Sequence, residues 1–429
     1  MKIKSIQALE ILDSRGNPTV TAKVILENGV SGEAAVPSGA STGSYEAVEL
    51  RDGDNGRYHG AGVLKAIENI EKVIAPGLVG MEAEDQAAID AKMIEIDGTE
   101  NKAKLGANAI LAVSLATARA AAQAAGVPLY QYLSKFNPDF KGNYVLPIPM
   151  MNVLNGGKHA DWATDIQEYM ILPIGAKDFA AAVRMCAEIY QSLKKILKSK
   201  QYAISVGDEG GFAPAFKDNE EPFQVLAEAA AHAGYKVGVD LVFGIDAAAT
   251  EFFTDGVYRL NKEEKTLSSS ELIAFYESLA SRHALVSFED VLAEDDWQGF
   301  ADFTAAFAPS CQIVGDDLFV TNVSRLERGI NEKSCNSILI KLNQIGTISE
   351  TVAAILLARK NGMTSVISHR SGETEDTFIA DFVVAMGTGQ IKTGAPCRSE
   401  RTAKYNRLLA IAAELGEKAS YYKFPFSGR

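Results

Sequence analysis

Short apolar runs that each stop on a charged residue recur through the second half of the chain. Val242-Phe-Gly-Ile-Asp246, Val286-Ser-Phe-Glu289 and Gln312-Ile-Val-Gly-Asp316 end on carboxylates, and Ser337-Ile-Leu-Ile-Lys341 ends on a lysine. Continuous apolarity over so few residues predicts strands buried on both faces, as in a parallel sheet. The terminal charges are 43, 27 and 25 residues apart, and the intervening segments carry helix signals. Ser268-Ser-Ser-Glu271 reads as a capping box ahead of Leu272, Phe275 and Leu279, and Thr347-Ile-Ser-Glu350 as another ahead of Val352, Ile355 and Leu356. Gly362 and Gly416 stand where helix C-termini favour a left-handed residue. Strand–helix repetition at this spacing predicts a closed βα barrel, in which the C-terminal strand ends face one mouth. Three carboxylates and a lysine are expected to converge there. A lysine so placed either lays its stem on apolar surface with its ammonium in water, or does chemistry; the neighbouring carboxylates favour the second.

The first third of the chain has a different rhythm. Residues 3–12 and 19–26 read as strands joined by the turn Asp13-Ser-Arg-Gly-Asn-Pro18, with a third strand over 32–36. Helical patterns follow over 63–74, 85–94 and the alanine-rich 107–125, stopped by Gly126 and Pro128. Strands followed by helices predict an α+β unit. Polar and turn-forming residues cluster over 137–142, so the expected division is 1–136 for this unit and 137–429 for the barrel.

A chain of 429 residues exceeds one ordinary core, consistent with two domains, and 47% hydrophobic content excludes a disordered polymer. With 42 basic against 55 acidic residues the net charge is −13, which disfavours nucleic acid or an anionic membrane as partner. An anionic substrate remains compatible, because a metal site inverts the local potential. The four cysteines show no CxxC spacing, so neither a zinc site nor a disulfide framework is indicated. There is no apolar segment of the roughly 20 residues a membrane span requires and no signal-peptide pattern, so a cytoplasmic location is expected.

Several loops carry candidate chemistry. Val36-Pro-Ser-Gly-Ala-Ser-Thr-Gly43 lacks the lysine of a phosphate-binding P-loop; it reads either as a plain turn or as a glycine-hinged lid offering Ser41. Arg370-Ser371, directly after Val366-Ile367, pairs a guanidinium fork with a hydroxyl, a combination suited to phosphate. Asn155-Gly-Gly-Lys-His159 and Ser368-His369 place histidines beside small residues, and Gly207-Asp-Glu209-Gly-Gly exposes a carboxylate on a glycine-rich turn. Gln167-Glu168, ahead of the strand-like Tyr-Met-Ile-Leu, could supply a further polar pair, whereas Glu294-Asp-Asp296 reads as a solvated charge run.

Taken together, Asp13-Ser-Arg-Gly-Asn-Pro-Thr-Val20, residues 37–43, Asn155-Gly-Gly with His159, Gly207-Asp-Glu-Gly-Gly211, Gly315-Asp-Asp-Leu318, Lys341-Leu-Asn-Gln-Ile-Gly-Thr347, Ser368-His-Arg-Ser-Gly-Glu-Thr-Glu-Asp376 and Gln390-Ile-Lys-Thr-Gly394 closely resemble the enolase family over essentially the whole chain. The resemblance implies an enolase-type βα barrel with a smaller N-terminal α+β capping domain. It implies dehydration of 2-phosphoglycerate to phosphoenolpyruvate with two Mg2+ ions per site, and a homodimer or larger assembly. By the same resemblance, Asp246, Glu289 and Asp316 would hold one ion and Ser41 would meet the second. Lys341 would be the base at C2, Glu209 the acid at the C3 hydroxyl supported by Glu168. Arg370 and Ser371 would hold phosphate, with Lys392, His159, Gln167 and His369 completing the substrate contacts. A Lys or His base working with one or two Mg2+ ions is the known pattern of enolase-superfamily sites, not an inference from this sequence. Bringing a lysine from about 10.4 to about 7.5 takes roughly 4 kcal/mol, of which one unit charge about 5 Å away supplies about 3 kcal/mol. Lys341 is thus expected to be pushed down and Glu209 up. Asp161-Trp162 and Phe288 depart from the usual pattern. Two rivals are an acid-sugar dehydratase or racemase on the same barrel, which Arg370-Ser371 and the serine loop oppose, and a catalytically silent binding protein, which the intact Lys341 and carboxylates oppose.

Overall fold

The computed structural model describes residues 1–40 and 43–428. Strands Ile3–Leu12, Pro18–Leu26 and Ser31–Ala35 form an antiparallel sheet in chain order. Asp13 shapes its first turn, accepting the Arg15 and Asn17 amides at 2.8 and 2.9 Å, the Asx geometry that suits aspartate to turns. Helix Ala107–Ala124 packs on this sheet so closely that a Cβ on Gly32 would lie 2.2 Å from the Ala120 amide nitrogen. Small residues on the helix and glycine on the strand are what that approach requires. The helix expected over 63–74 is Leu64–Asn69 continued by a π turn at Ile70–Ile74 and a last turn Ala75–Leu78. The wider turn falls just ahead of Pro76, which has no N–H to offer the helix ladder.

Eight strands close into a barrel in chain order: Ile148–Asn155, Glu168–Leu172, Val242–Asp246, Leu285–Glu289, Gln312–Gly315, Ser337–Ile340, Thr364–Ser368 and Gln390–Lys392. Ile338 and Ile340 face the outer helical layer, while Leu339 joins Ile148, Met150, Met170, Leu172, Val242, Val286, Val314 and Val366 in a second core cluster. That alternation explains an apolar run buried on both faces and makes the barrel interior a packed core. Phe288, an outward-facing residue, packs against Phe303 and Phe307 at ring distances of 5.3 and 4.9 Å.

One element departs from uniform βα repetition. The second strand, Glu168–Leu172, pairs antiparallel with both neighbours. The connection from the first strand, residues 156–167, holds only the short turn Gly157–Ala160 and no crossover helix of the kind that carries the chain round to a parallel partner. Because this strand runs backwards, its N-terminal end opens on the mouth formed by the C-terminal ends of the others. Gln167 and Glu168 therefore reach the site from a strand start.

Ser268 makes both arms of its capping box. Thr347 makes one: it accepts the Glu350 amide at 3.2 Å, while the Glu350 carboxylate accepts from the Thr347 hydroxyl and from Lys102 instead. Gly362 takes φ +74°, whereas Gly416 has positive φ but ψ −125°, leading into the turn Gly416–Lys418 instead of a left-handed cap. All four cysteines are free. No single helix among the described residues is long and apolar enough to cross a membrane.

Candidate active site

Strand order gives the mouth two sides. Asp246, Glu289 and Asp316 close three consecutive staves, and the strand of Lys392 stands four places from that of Glu289, directly across the ring. Lys392 spans the opening: its Nζ lies 2.9 Å from Asp246 Oδ2, 2.8 Å from Glu289 Oε1 and 3.2 Å from Glu168 Oε2. Burial alone would lower its pKa, but these three carboxylates raise it well above the ordinary range. Lys341 stands at the end of Ser337–Ile340, four places from Glu168–Leu172, so Lys341 and Glu168 also face each other across the ring.

Lys341 is paired with Asp316 Oδ2. Its burial, with Arg370 and Lys392 nearby, pushes its pKa down, yet Asp316 outweighs them and holds it above the usual lysine range. That is opposite to the lowering expected from the sequence, which assumed the carboxylates to be engaged by cations. Gln344 fixes the other Asp316 oxygen at 2.8 Å and is itself held by the Thr321 hydroxyl at 2.8 Å. Asp290 accepts the amides of Asp316 and Asp317 at 2.9 and 2.8 Å.

Glu209 is buried opposite Asp316's side of the mouth, with Asn152 donating to Oε2 at 2.8 Å and His369 Nε2 and His159 Nδ1 3.5 and 3.7 Å from Oε1. Its turn is tight: Gly210 has φ +85°, and a Cβ there would meet the Cys397 carbonyl at 2.7 Å. Burial pushes Glu209 up, but the imidazoles of His159 and His369 and the cations Arg401 and Lys392 outweigh it and hold the carboxyl below its ordinary range. Glu168 goes the other way, raised well above it by burial and by Glu209's charge. Of the pair, Glu168 is the one whose acid form the surroundings favour, whereas the sequence led to the expectation that Glu209 would be pushed up. Burial and Arg401 hold His369 well below the usual imidazole range.

Arg370 forks onto Glu46, at 2.9 and 3.0 Å, and donates to Asn343 at 3.1 Å. The Ser371 hydroxyl accepts the Ala40 amide at 2.7 Å. Gln167 is buried with its side-chain oxygen unpartnered. Ser41 lies outside the described residues, but its loop is anchored on both sides. Ser38 and Gly372 exchange backbone hydrogen bonds at 2.8 and 2.9 Å, and Glu294 accepts the Ser44 amide at 3.0 Å and its hydroxyl. Glu294-Asp-Asp296 is therefore solvated at Asp295 and not as a run. Glu294 is buried, and Asp296 caps helix Trp297–Phe307 and accepts from Tyr258 at 2.8 Å. Sequence reading also missed Glu46, Gln344, Asp290 and Arg401; Asp290 directly follows Glu289, while Gln344 and Glu46 stand three residues beyond Lys341 and Gly43, so only Arg401 had no visible signal beside it.

The donor chemistry fits a hard divalent cation. Glu289 Oε2 is buried with no hydrogen-bond partner, and the surrounding ligating atoms are carboxylate oxygens. Among the described residues, two groups bring ligand atoms within 4.8 Å of one another: Asp290–Asp316–Asp317 and His159–Glu168–Glu209. The expected trio Asp246, Glu289 and Asp316 is not one of them: Lys392 engages Asp246 and Glu289, and Asp316 is turned to Lys341. Burial and mutual repulsion raise Asp290 well above the carboxylate range and Asp317 to about 8, the mark of acids gathered without enough positive charge. A wider cleft, about 1030 Å3 of open space against about 400 Å3, lies between the N-terminal strands and Glu373–Asp376, but the titratable groups converge on the barrel mouth.

A barrel with acid, base and carboxylate groups gathered at its strand ends marks this mouth as the candidate active site of an enzyme. Residues 3–133 match the model of the enolase N-terminal domain, and residues 143–427 match that of the enolase C-terminal TIM barrel domain. The chain belongs to the enolase family.

Proposed function

We propose that the protein interconverts 2-phosphoglycerate and phosphoenolpyruvate by loss and addition of water. The observation that carries this reading is the opposition of Lys341 to the Glu168–Glu209 pair across one narrow mouth. A base on one side and a protonated carboxyl on the other are what anti removal of a proton and a hydroxyl from adjacent carbons requires. Lys341 takes the C2 proton, and Glu168 and Glu209, sharing one proton, deliver it to the departing C3 hydroxyl. Arg370 and Ser371 hold the phosphate, with Glu46 keeping the guanidinium aimed before substrate enters. His159, Gln167, His369 and Lys392 line the remaining wall.

Lys341 can accept a proton only after leaving Asp316, so the ion pair is a resting arrangement. Mg2+ bound by Asp246, Glu289 and Asp316, with a second ion at Ser41, would supply Lewis-acid stabilisation of the second negative charge that develops on the substrate carboxylate. A cytoplasmic location and a homodimeric assembly belong to the same proposal.

The test is the ultraviolet absorbance of the enol product on mixing protein, Mg2+ and 2-phosphoglycerate. A rise is expected, abolished by EDTA and reduced about 1000-fold or more in Lys341→Ala. No rise from folded, Mg2+-supplemented protein would move the assignment to another acid substrate on the same barrel.

A further inference from the structure

Arg401 is a fully buried cation inside helix Ser399–Leu415. One terminal nitrogen donates to the Arg370 carbonyl at 2.6 Å and lies 2.6 Å from His369 Nδ1. The other donates to the Asp208 carbonyl at 3.0 Å and to the Ser371 carbonyl. One side chain thus ties the turn that carries Glu209 to the strand end that carries His369, Arg370 and Ser371. A Cβ on Gly394 would lie 3.0 Å from the Arg401 stem, so the stem is boxed in as well.

A guanidinium carries only donors and does not give up its proton in proteins. The ring nitrogen it faces must therefore present a lone pair. Nδ1 of His369 is then bare, and the proton of the neutral ring sits on Nε2. That atom is 3.5 Å from Glu209 Oε1, beyond a good hydrogen bond, and is buried with no other partner. His159, on the other flank of Glu209, offers a contrast: both its ring nitrogens are unpartnered, so no neighbour selects its tautomer.

We propose that Arg401 is a positioning residue that locks His369 in the Nε2–H tautomer, making this imidazole a fixed hydrogen-bond donor beside Glu209 and not a base. An oxygen of a ligand entering the mouth meets a donor already oriented, while the same guanidinium keeps the Glu209 turn in register with the phosphate-side strand. The catalytic consequence rests on the dehydration proposed above; the tautomer does not.

Uniform 15N labelling of histidine gives a readable long-range spectrum, because the chain has five histidines. His369 is assigned by the resonances lost in His369→Asn. In the substrate-free wild type, His369 should show an unprotonated Nδ1 and a protonated Nε2. A protonated Nδ1 would overturn the proposal without recourse to any Arg401 variant. Arg401→Lys retains a donor and should keep the tautomer. Arg401→Met should lose it, mixing the two forms, with kcat down about a hundredfold from misplaced groups and KM within a few-fold of wild type. A folded Arg401→Met protein with the wild-type tautomer would also overturn the proposal. The correct tautomer in a protein that does not dehydrate 2-phosphoglycerate would leave Arg401's role standing and sink the substrate assignment.

Discussion

Trp162 is one of two tryptophans, and it sits three residues past His159 with φ +58°, following Asp161 at φ +49°. Two successive non-glycine residues in the left-handed region cost of order 1 kcal/mol each, so this turn is held in place by what surrounds it. Trp162 is half-buried against the core, while Trp297 is buried with Arg328 stacked 4.1 Å from its ring centre. In a Trp297→Phe background the emission of Trp162 is expected to shift when 2-phosphoglycerate and Mg2+ bind beside His159. An unchanged spectrum under saturating ligand would mean that the turn does not respond to the site. The same residue-level view explains what could be read beforehand. Lys341, Asp246, Glu289 and Asp316 were visible because each ends an apolar run, and a strand end in a barrel has one destination. Glu46 and Arg401 were missed because their partners lie 324 and 32 residues away, respectively. On its own helix, Arg401 looks like any charged residue of an exposed face.

At the level of elements, two features control what reaches the mouth. The reversed second strand delivers Glu168, and its direction was not readable from apolar periodicity, which is the same for parallel and antiparallel strands. It goes with a preceding connection, residues 156–167, that holds no crossover helix, and the absence of that helix became visible only once both strand boundaries were known. The second feature is the loop over residues 36–43, pinned to the barrel by Ser38–Gly372 on one side and by Glu294–Ser44 on the other. Glu294 was misread because Glu-Asp-Asp has no local pattern that separates a buried anchor from a solvated run. A buried carboxylate accepting two hydrogen bonds contributes about 1–3 kcal/mol. If the loop closes over substrate, Glu294→Ala releases its far anchor, and KM for 2-phosphoglycerate is expected to rise about tenfold, with kcat little changed at saturation. Steady-state kinetics check this; an unaltered KM would show that the anchor holds the fold and not the closed loop.

Across the whole molecule, stability is tied to the charge gathered at the mouth. Glu168, Glu289, Asp290 and Asp317 all have their acid forms favoured in the folded protein, chiefly by burial and then by one another; Asp317 reaches about 8. An acid whose pKa is raised on folding keeps its proton in the native state where the unfolded chain has lost it. Its stabilisation is complete below the unfolded value, near 4, and is lost as pH rises through the folded one. His369 works in the opposite sense, since its lowered pKa removes stability as pH falls below the unfolded imidazole value, about 6.5. Above that pH its contribution is constant, so the interval from there to about 8 belongs to the raised carboxylates. Each group still protonated in the native state contributes a slope of about 1.4 kcal/mol per pH unit there. In chelator, Tm is therefore expected to fall steadily between about pH 6.5 and 8, and Asp317→Asn should flatten the fall by removing one titrating acid. Added Mg2+ should raise Tm most at the alkaline end, where the acids are ionised and a cation replaces the missing protons. Thermal scans in EDTA and in Mg2+ decide it. A metal-free Tm that is level or rising over this interval would mean that the mouth already holds enough positive charge in Lys392, Lys341 and Arg370. The acid cluster would then not be what draws a cation to this barrel.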